Sequence, residues 1–143
     1  MKKLPIIYHP NYDIPVPKIH SFVGNKFSDL FTYLQDHYFQ NLDVLTPSSA
    51  TFENLKKTHE IDYINKVTNN QLTKDHLRLI NLPWSERLRE RSFLETEGTF
   101  LTAKKALENG LACHVGGGTH HAHFDYGYGF CVFNDLAYTA INL

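Results

Sequence analysis

Three consecutive glycines, Gly116-Gly117-Gly118, end a short apolar run, Leu111-Ala112-Cys113-His114-Val115, that begins directly after Asn109-Gly110. Asn-Gly is a helix stop, because glycine takes the left-handed backbone that closes a last helical turn. The run is short and bounded, so it reads as a buried strand. The glycines then free the chain to leave strand geometry at its carboxyl end. Helix, stop, strand and glycine-rich loop in that order belong to an α/β protein with a parallel sheet. In such sheets functional loops gather beyond the carboxyl ends of the strands. Thr119-His120-His121-Ala122 falls there.

The rest of the chain fits the same class. Leu4 to Tyr8 reads as a first strand, closed by His9-Pro10 and a loop through Pro15 and Pro17. Phe27, Leu30, Phe31, Leu34 and Tyr38 fall at helical spacing and predict a helix whose apolar stripe packs into the core. Asp43 to Pro47 suggests a second strand, and Ser48 or Ser49 is a candidate cap for a turn around Phe52 to Leu55. Ile61, Ile64 and Val67 predict a further helix. Asn69 to Arg89 is polar, carries Pro83-Trp84, and reads as a loop with short helical pieces. A long helix is expected from Glu90 to Glu108. Asn134 caps a final helix in which Leu136, Ala137, Ala140, Ile141 and Leu143 are expected to be buried. Three strands make a small sheet for these helices to cover. The expectation is therefore the front part of a larger domain.

Composition bounds the partners. A length of 143 residues, 42% of them hydrophobic, suffices for one domain core. A formal net charge of -1 gives no electrostatic reason to expect nucleic acid or an anionic membrane. No apolar run approaches the roughly 20 residues that span a bilayer, and the apolar stretch of Met1 to Tyr8 is too short for a secretory signal to be expected. Cys113 and Cys131 alone are a poor disulfide framework, which makes a reducing cytoplasm the expected compartment.

Adjacent histidines put two near-neutral bases in one small space, and histidine exchanges protons most readily near pH 7. Gly127-Tyr128-Gly129-Phe130-Cys131 adds a second turn, where glycines admit a ligand to the backbone and Phe130 offers a flat apolar wall. A rival reading is His121-x-His123-x-Asp125, the metal-ligand spacing of the metallo-β-lactamase fold, although Tyr126 stands where that motif usually continues with histidine. The plainer readings are a core or strand-end role for His114 and loop positions near the mouth for His123 and Asp125. His9 and His20 either border the pocket or are satisfied structurally, and Cys113 is a small hydrophobe in a buried strand. No Lys-Ser/Thr follows the glycines, so a phosphate loop is not expected.

Taken together, Gly117-Gly118-Thr119-His120-His121-Ala122, Gly129-Phe130-Cys131 and Asn134-Asp135 resemble the zinc-dependent histone deacetylase superfamily. Ile19-His20-Ser21-Phe22 followed by Lys26-Phe27, Thr58-His59-Glu60-Ile61-Asp62-Tyr63, and Gly98-Thr99 with Val115-Gly116-Gly117-Gly118 look like its class IV branch. The resemblance implies a three-layer α/β/α fold of the arginase/deacetylase type, present as its N-terminal part over residues 1–143. It implies that His121 moves the proton between zinc-bound water and the leaving amine, with His120 as its electrostatic partner. Phe130 would wall the acyl-lysine tunnel, the Gly129 backbone would lie near the bound amide, and Thr119 would stand where many relatives carry an aromatic residue. The substrate implied is an acylated lysine or a small acylated amine. The family's Zn2+ ligands lie beyond Leu143, so no metal ligand is expected within this chain. A complementary C-terminal segment would have to supply them, or the chain is an inactive remnant.

Overall fold

In the computed structural model, which describes residues 3–143, strand β1 (Leu4–Ile7) is the centre of a three-stranded sheet. Strand β2 (Leu42–Leu45) pairs with it in parallel from Leu4–Leu42 to Ile7–Leu45. Strand β3 (Cys113–His114) pairs in parallel on the other side, Ile6 with Cys113 and Ile7 with His114. Ile6 and Ile7 are both buried. Successive strand residues face opposite sides, so both faces of β1 are covered. Helix α1 (Lys26–Tyr38) places Leu30 and Leu34 near Ile6. The long α5 (Glu86–Asn109) runs against β1 and carries α6 (Asp135–Asn142) beside it. The alternation of strands and helices thus gives the α/β architecture with a parallel sheet that the glycine run implies.

Local chemistry explains the element ends, and corrects several of them. Ser85 caps α5, its hydroxyl accepting from the Leu88 N–H at 3.0 Å, so the helix starts ahead of Glu90. Gly110, at φ +85°, ends it as Asn109-Gly110 predicts. The segment read as a loop holds α4 (Lys74–Ile80), opened by a reciprocal cap between Thr73 and His76 and closed by Asn81 at φ +57°. The short α2 (Phe52–Leu55) is capped by Thr51, not Ser48 or Ser49. Helix α3 (Ile61–Thr68) buries Tyr63, Ile64 and Val67 at the expected spacing.

Two apolar faces are not where periodicity puts them. In α6 the buried residues are Asp135, Tyr138 and Thr139, while Leu136, Ile141 and Leu143 are 52%, 55% and 60% exposed. Tyr138 decides the rotation: its ring meets Phe100 edge-on and its hydroxyl donates to Glu97, both on α5. In α1, Phe27 is buried, but Leu30 and Tyr38 stay about half exposed. They wall an apolar groove with Leu4, Ile6, Leu42 and Val115 that reaches across the three strands. Cys113 lies on the open edge of β3 and is exposed, because β3 has a partner on one side only.

Candidate active site

The glycine-rich loop is held from below by a chain of partly buried hydrogen bonds. Gly118 takes φ +97°, a backbone that favours glycine, and its N–H donates to Asp135 Oδ2 at 2.7 Å. The same oxygen accepts from the Thr99 hydroxyl at 2.6 Å. Thr99 Oγ1 therefore accepts from His114 Nδ1–H (3.0 Å), and His114 Nε2 accepts from the Tyr12 hydroxyl (2.8 Å). This proton order makes His114 a neutral imidazole with both nitrogens occupied. Burial holds its pKa down to about 4. His114 is thus the strand-end structural residue that its position suggests. Gly98 is fixed by the same ring: a Cβ there would fall 2.4 Å from both His114 Nε2 and the Tyr12 hydroxyl.

A second clamp holds the histidine pair. Asn134 caps α6 through its Oδ1, which accepts from Ala137 N–H, and its Nδ2 donates to the carbonyls of His120 (3.1 Å) and Ala122 (2.9 Å). Its own N–H donates to His59 Nε2 at 2.9 Å, and His59 Nδ1–H donates to the Phe124 carbonyl at 3.2 Å. His59 is 1% exposed, and burial lowers its pKa. The two rings of the pair lie 4.2 Å apart at the cavity rim, and His120 Nδ1–H donates to the Gly118 carbonyl at 2.9 Å.

The opposite wall hangs from α4. The N–H groups of Gly129 and Phe130 donate to the carbonyls of Leu79 and Ile80, its last residues. Phe130 itself takes φ +70°, an uncommon conformation for a residue with a side chain. Its ring lies 5.4 Å from Phe22 and 6.1 Å from His20, whose Nδ1 accepts from the Phe22 N–H at 3.0 Å, so His20 is satisfied structurally and does not line the cavity. Cys131 follows, buried, and burial pushes its thiol pKa up.

Thr119, His120, His121, Gly129 and Phe130 all line one cavity of about 350 Å³. Ser21, Phe22, Lys26 and Phe27, to which the resemblance gave no place in the cavity, line it too, as do Val23 and Arg91, which sequence reasoning missed altogether. Sequence reasoning also missed the Arg91–Glu95 ion pair below, 2.6 Å long with side chains 3% and 1% exposed. Its i,i+4 spacing was visible, but such pairs are usually solvated. Burial outweighs the guanidinium and pushes the Glu95 carboxyl up to about 8.

His123 stacks on Tyr126 at 4.4 Å and, like Asp125, is exposed on the loop. Among the described residues no three His, Cys, Asp or Glu side chains converge as metal ligands. His121, His123 and Asp125 therefore do not form the metal centre that their spacing suggests. For the same reason the described residues do not by themselves fit a zinc ion.

An α/β sheet with a histidine pair at the carboxyl end of a strand, facing an aromatic turn, defines the class. Residues 20–143 match the histone deacetylase domain, and the chain belongs to that family. A protein of Picosynechococcus sp. is 43% identical over 134 residues, covering 93% of this chain and 45% of that protein. Histone deacetylase 2 of Arabidopsis thaliana is 28% identical over 147 residues, covering 96% of this chain and 38% of its own length. The acetoin utilization protein AcuC of Staphylococcus aureus is 29% identical over 107 residues, covering 68% of this chain and 28% of its own. The crystal structure of the HDA15 HD domain superposes with a TM-score of 0.78 at 15% identity, over 98% of this chain and 42% of that one. The chain thus spans less than half the length of these relatives.

Proposed function

We propose that the chain supplies the acid–base face of a deacylase that hydrolyses N-acyl amides of lysine or of a small lysine-like amine. The observation that carries this reading is the convergence of His120, His121, Thr119, Gly129 and Phe130 on one cavity. His121 moves the proton from water to the leaving amine. His120, oriented by the Gly118 carbonyl, is its electrostatic partner. The Phe130 ring packs along the acyl-lysine stem, and the Gly129 backbone lies beside the amide. Zinc, the metal the family name brings with it, needs ligands from outside this chain. We infer further that residues 1–143 correspond to the front part of one deacetylase domain, completed by a complementary segment. The open edge of β3 and the 42% coverage of the structural relative support this. A reducing compartment such as the cytoplasm suits its two free cysteines. Among the described residues no helix is long and apolar enough to cross a membrane.

The test is hydrolysis of an acetyl-lysine peptide by the protein isolated from its source with whatever accompanies it. His121→Ala is expected to lower the rate by about 100-fold or more with peptide binding retained, while His123→Ala leaves the rate near that of the unaltered protein. Equal loss from both changes, or full activity in His121→Ala, overturns the assignment. Absence of any hydrolysis, with no metal in the isolated protein, makes the chain an inactive remnant.

A further inference from the structure

The cavity that carries the histidine pair is also lined by two cations, Lys26 and Arg91. Arg91 is 3% exposed, and its ion pair with Glu95 engages only Nη2. Its Nε and Nη1 have no hydrogen-bond partner. Buried guanidinium donors without an acceptor are costly, so an acceptor is expected there. The rings of Phe22 and Phe27 face the guanidinium carbon at 5.3 and 4.8 Å, but they offer it no oxygen. The Lys26 ammonium sits over the same two rings, 4.3 and 5.1 Å from their centroids. Burial and the neighbouring guanidinium hold its pKa below the ordinary lysine value, as expected for two cations side by side. Two carboxylates lie near, Glu95 and Asp135, and neither gives Arg91 Nε or Nη1 a hydrogen bond, although Glu95 Oε2 and Asp135 Oδ1 are themselves buried without a hydrogen-bond partner. Glu95 pairs with Arg91 Nη2, and Asp135 Oδ2 takes the Gly118 N–H and the Thr99 hydroxyl.

We propose that Arg91 and Lys26 receive a carboxylate at the far end of the acyl group, so that the preferred substrates are amides of short dicarboxylic acids, of the succinyl or glutaryl class. The inference rests on the deacylase reading. The methylenes between amide and carboxylate run past the Phe22 and Phe27 rings, over which both cations sit, and the distal carboxylate meets the Lys26 ammonium and the Arg91 guanidinium. The reaction is ordinary hydrolysis. Water oxygen bonds to the acyl carbon as the C–N bond breaks, both water protons end on the amine, and the acyl group leaves as a dicarboxylate.

The test compares succinate with butyrate, which has the same length and lacks the second carboxylate, by calorimetry and NMR on the full chain. Succinate is expected to bind about tenfold more tightly. That ratio should fall towards one in Lys26→Gln, an exposed side chain whose loss spares the core. It should fall likewise in the double variant Arg91→Gln/Glu95→Gln, which leaves no buried charge behind. Equal binding of the two acids, or a succinate preference that survives both variants, overturns the proposal. Hydrolysis by the protein as isolated separates this proposal from the reading beneath it. Turnover of acetyl-lysine without preference for succinyl-lysine overturns the acidic specificity and leaves the deacylase intact. Succinate selectivity that needs Lys26, with no hydrolysis of either peptide, overturns the deacylase and keeps the dicarboxylate site.

Discussion

His114 and Glu95, both beneath the loop, are displaced from their ordinary pKa values in opposite directions, and stability should record both. A histidine lowered to about 4 is neutral in the fold. The unfolded chain binds more protons between that value and roughly 6.5. Its contribution is complete above pH 6.5 and is lost as pH falls towards 4. A glutamate raised to about 8 contributes fully below its unfolded value, and that contribution is lost as pH rises towards 8. The two slopes cancel between roughly pH 4.5 and 6.5. Urea midpoints should therefore rise only gently there, through the lowered pKa values of His59 and His9, and fall from pH 6.5 to 8. In Glu95→Gln the rise below pH 6.5 should become much steeper, because the His114 slope is left unopposed. A Glu95→Gln curve that keeps the wild-type shape would refute the assignment. Gly98→Ala forces a methyl against His114 and Tyr12. It is expected to cost about 1–3 kcal/mol in chemical denaturation.

At the scale of elements, the site depends on two helix ends. Asn134 serves as the cap of α6 and as the clamp on the histidine loop. Asn134→Ala should cost about 1–2 kcal/mol and also loosen the loop. Amide exchange at residues 119–123 reads the second effect. An aspartate at the same place keeps the cap but lacks the donors, so Asn134→Asp should restore stability without restoring loop protection. The cap was legible in the sequence, since Asn before an acidic first turn is a helix start. Its grip on the loop was not, because no local pattern records that residue 134 meets the carbonyls of residues 120 and 122. The α4 end that carries Gly129 and Phe130 was hidden for a similar reason. Its cap pairs Thr73 with His76, where the usual reciprocal partner is Glu or Gln. The strand, the glycine loop and the histidine pair were readable because each rests on backbone requirements that few residue types meet. Arg91 and Lys26 were not, because their place in the cavity comes from tertiary packing.

At the scale of the molecule, the open edge of β3 and the groove walled by Leu30, Leu34, Leu4 and Val115 leave an apolar surface beside the sheet. Such a contiguous apolar surface should bind an environment-sensitive apolar dye. Leu34→Lys is expected to remove most of that fluorescence with little change in helix content, and an unchanged signal would place the dye elsewhere. The same sheet couples distant parts of the sequence. Tyr12 and His114, 102 residues apart, meet in the hydrogen-bond chain beneath the loop, and Gly118 closes that chain on Asp135. Pairings of such long range are slow to form. On a ribosome, the turn after β1 emerges 102 residues ahead of His114 and waits for that stretch before the site can close. In that interval Tyr12 lacks its partner, and chaperone binding would be a normal stage in the life of the protein.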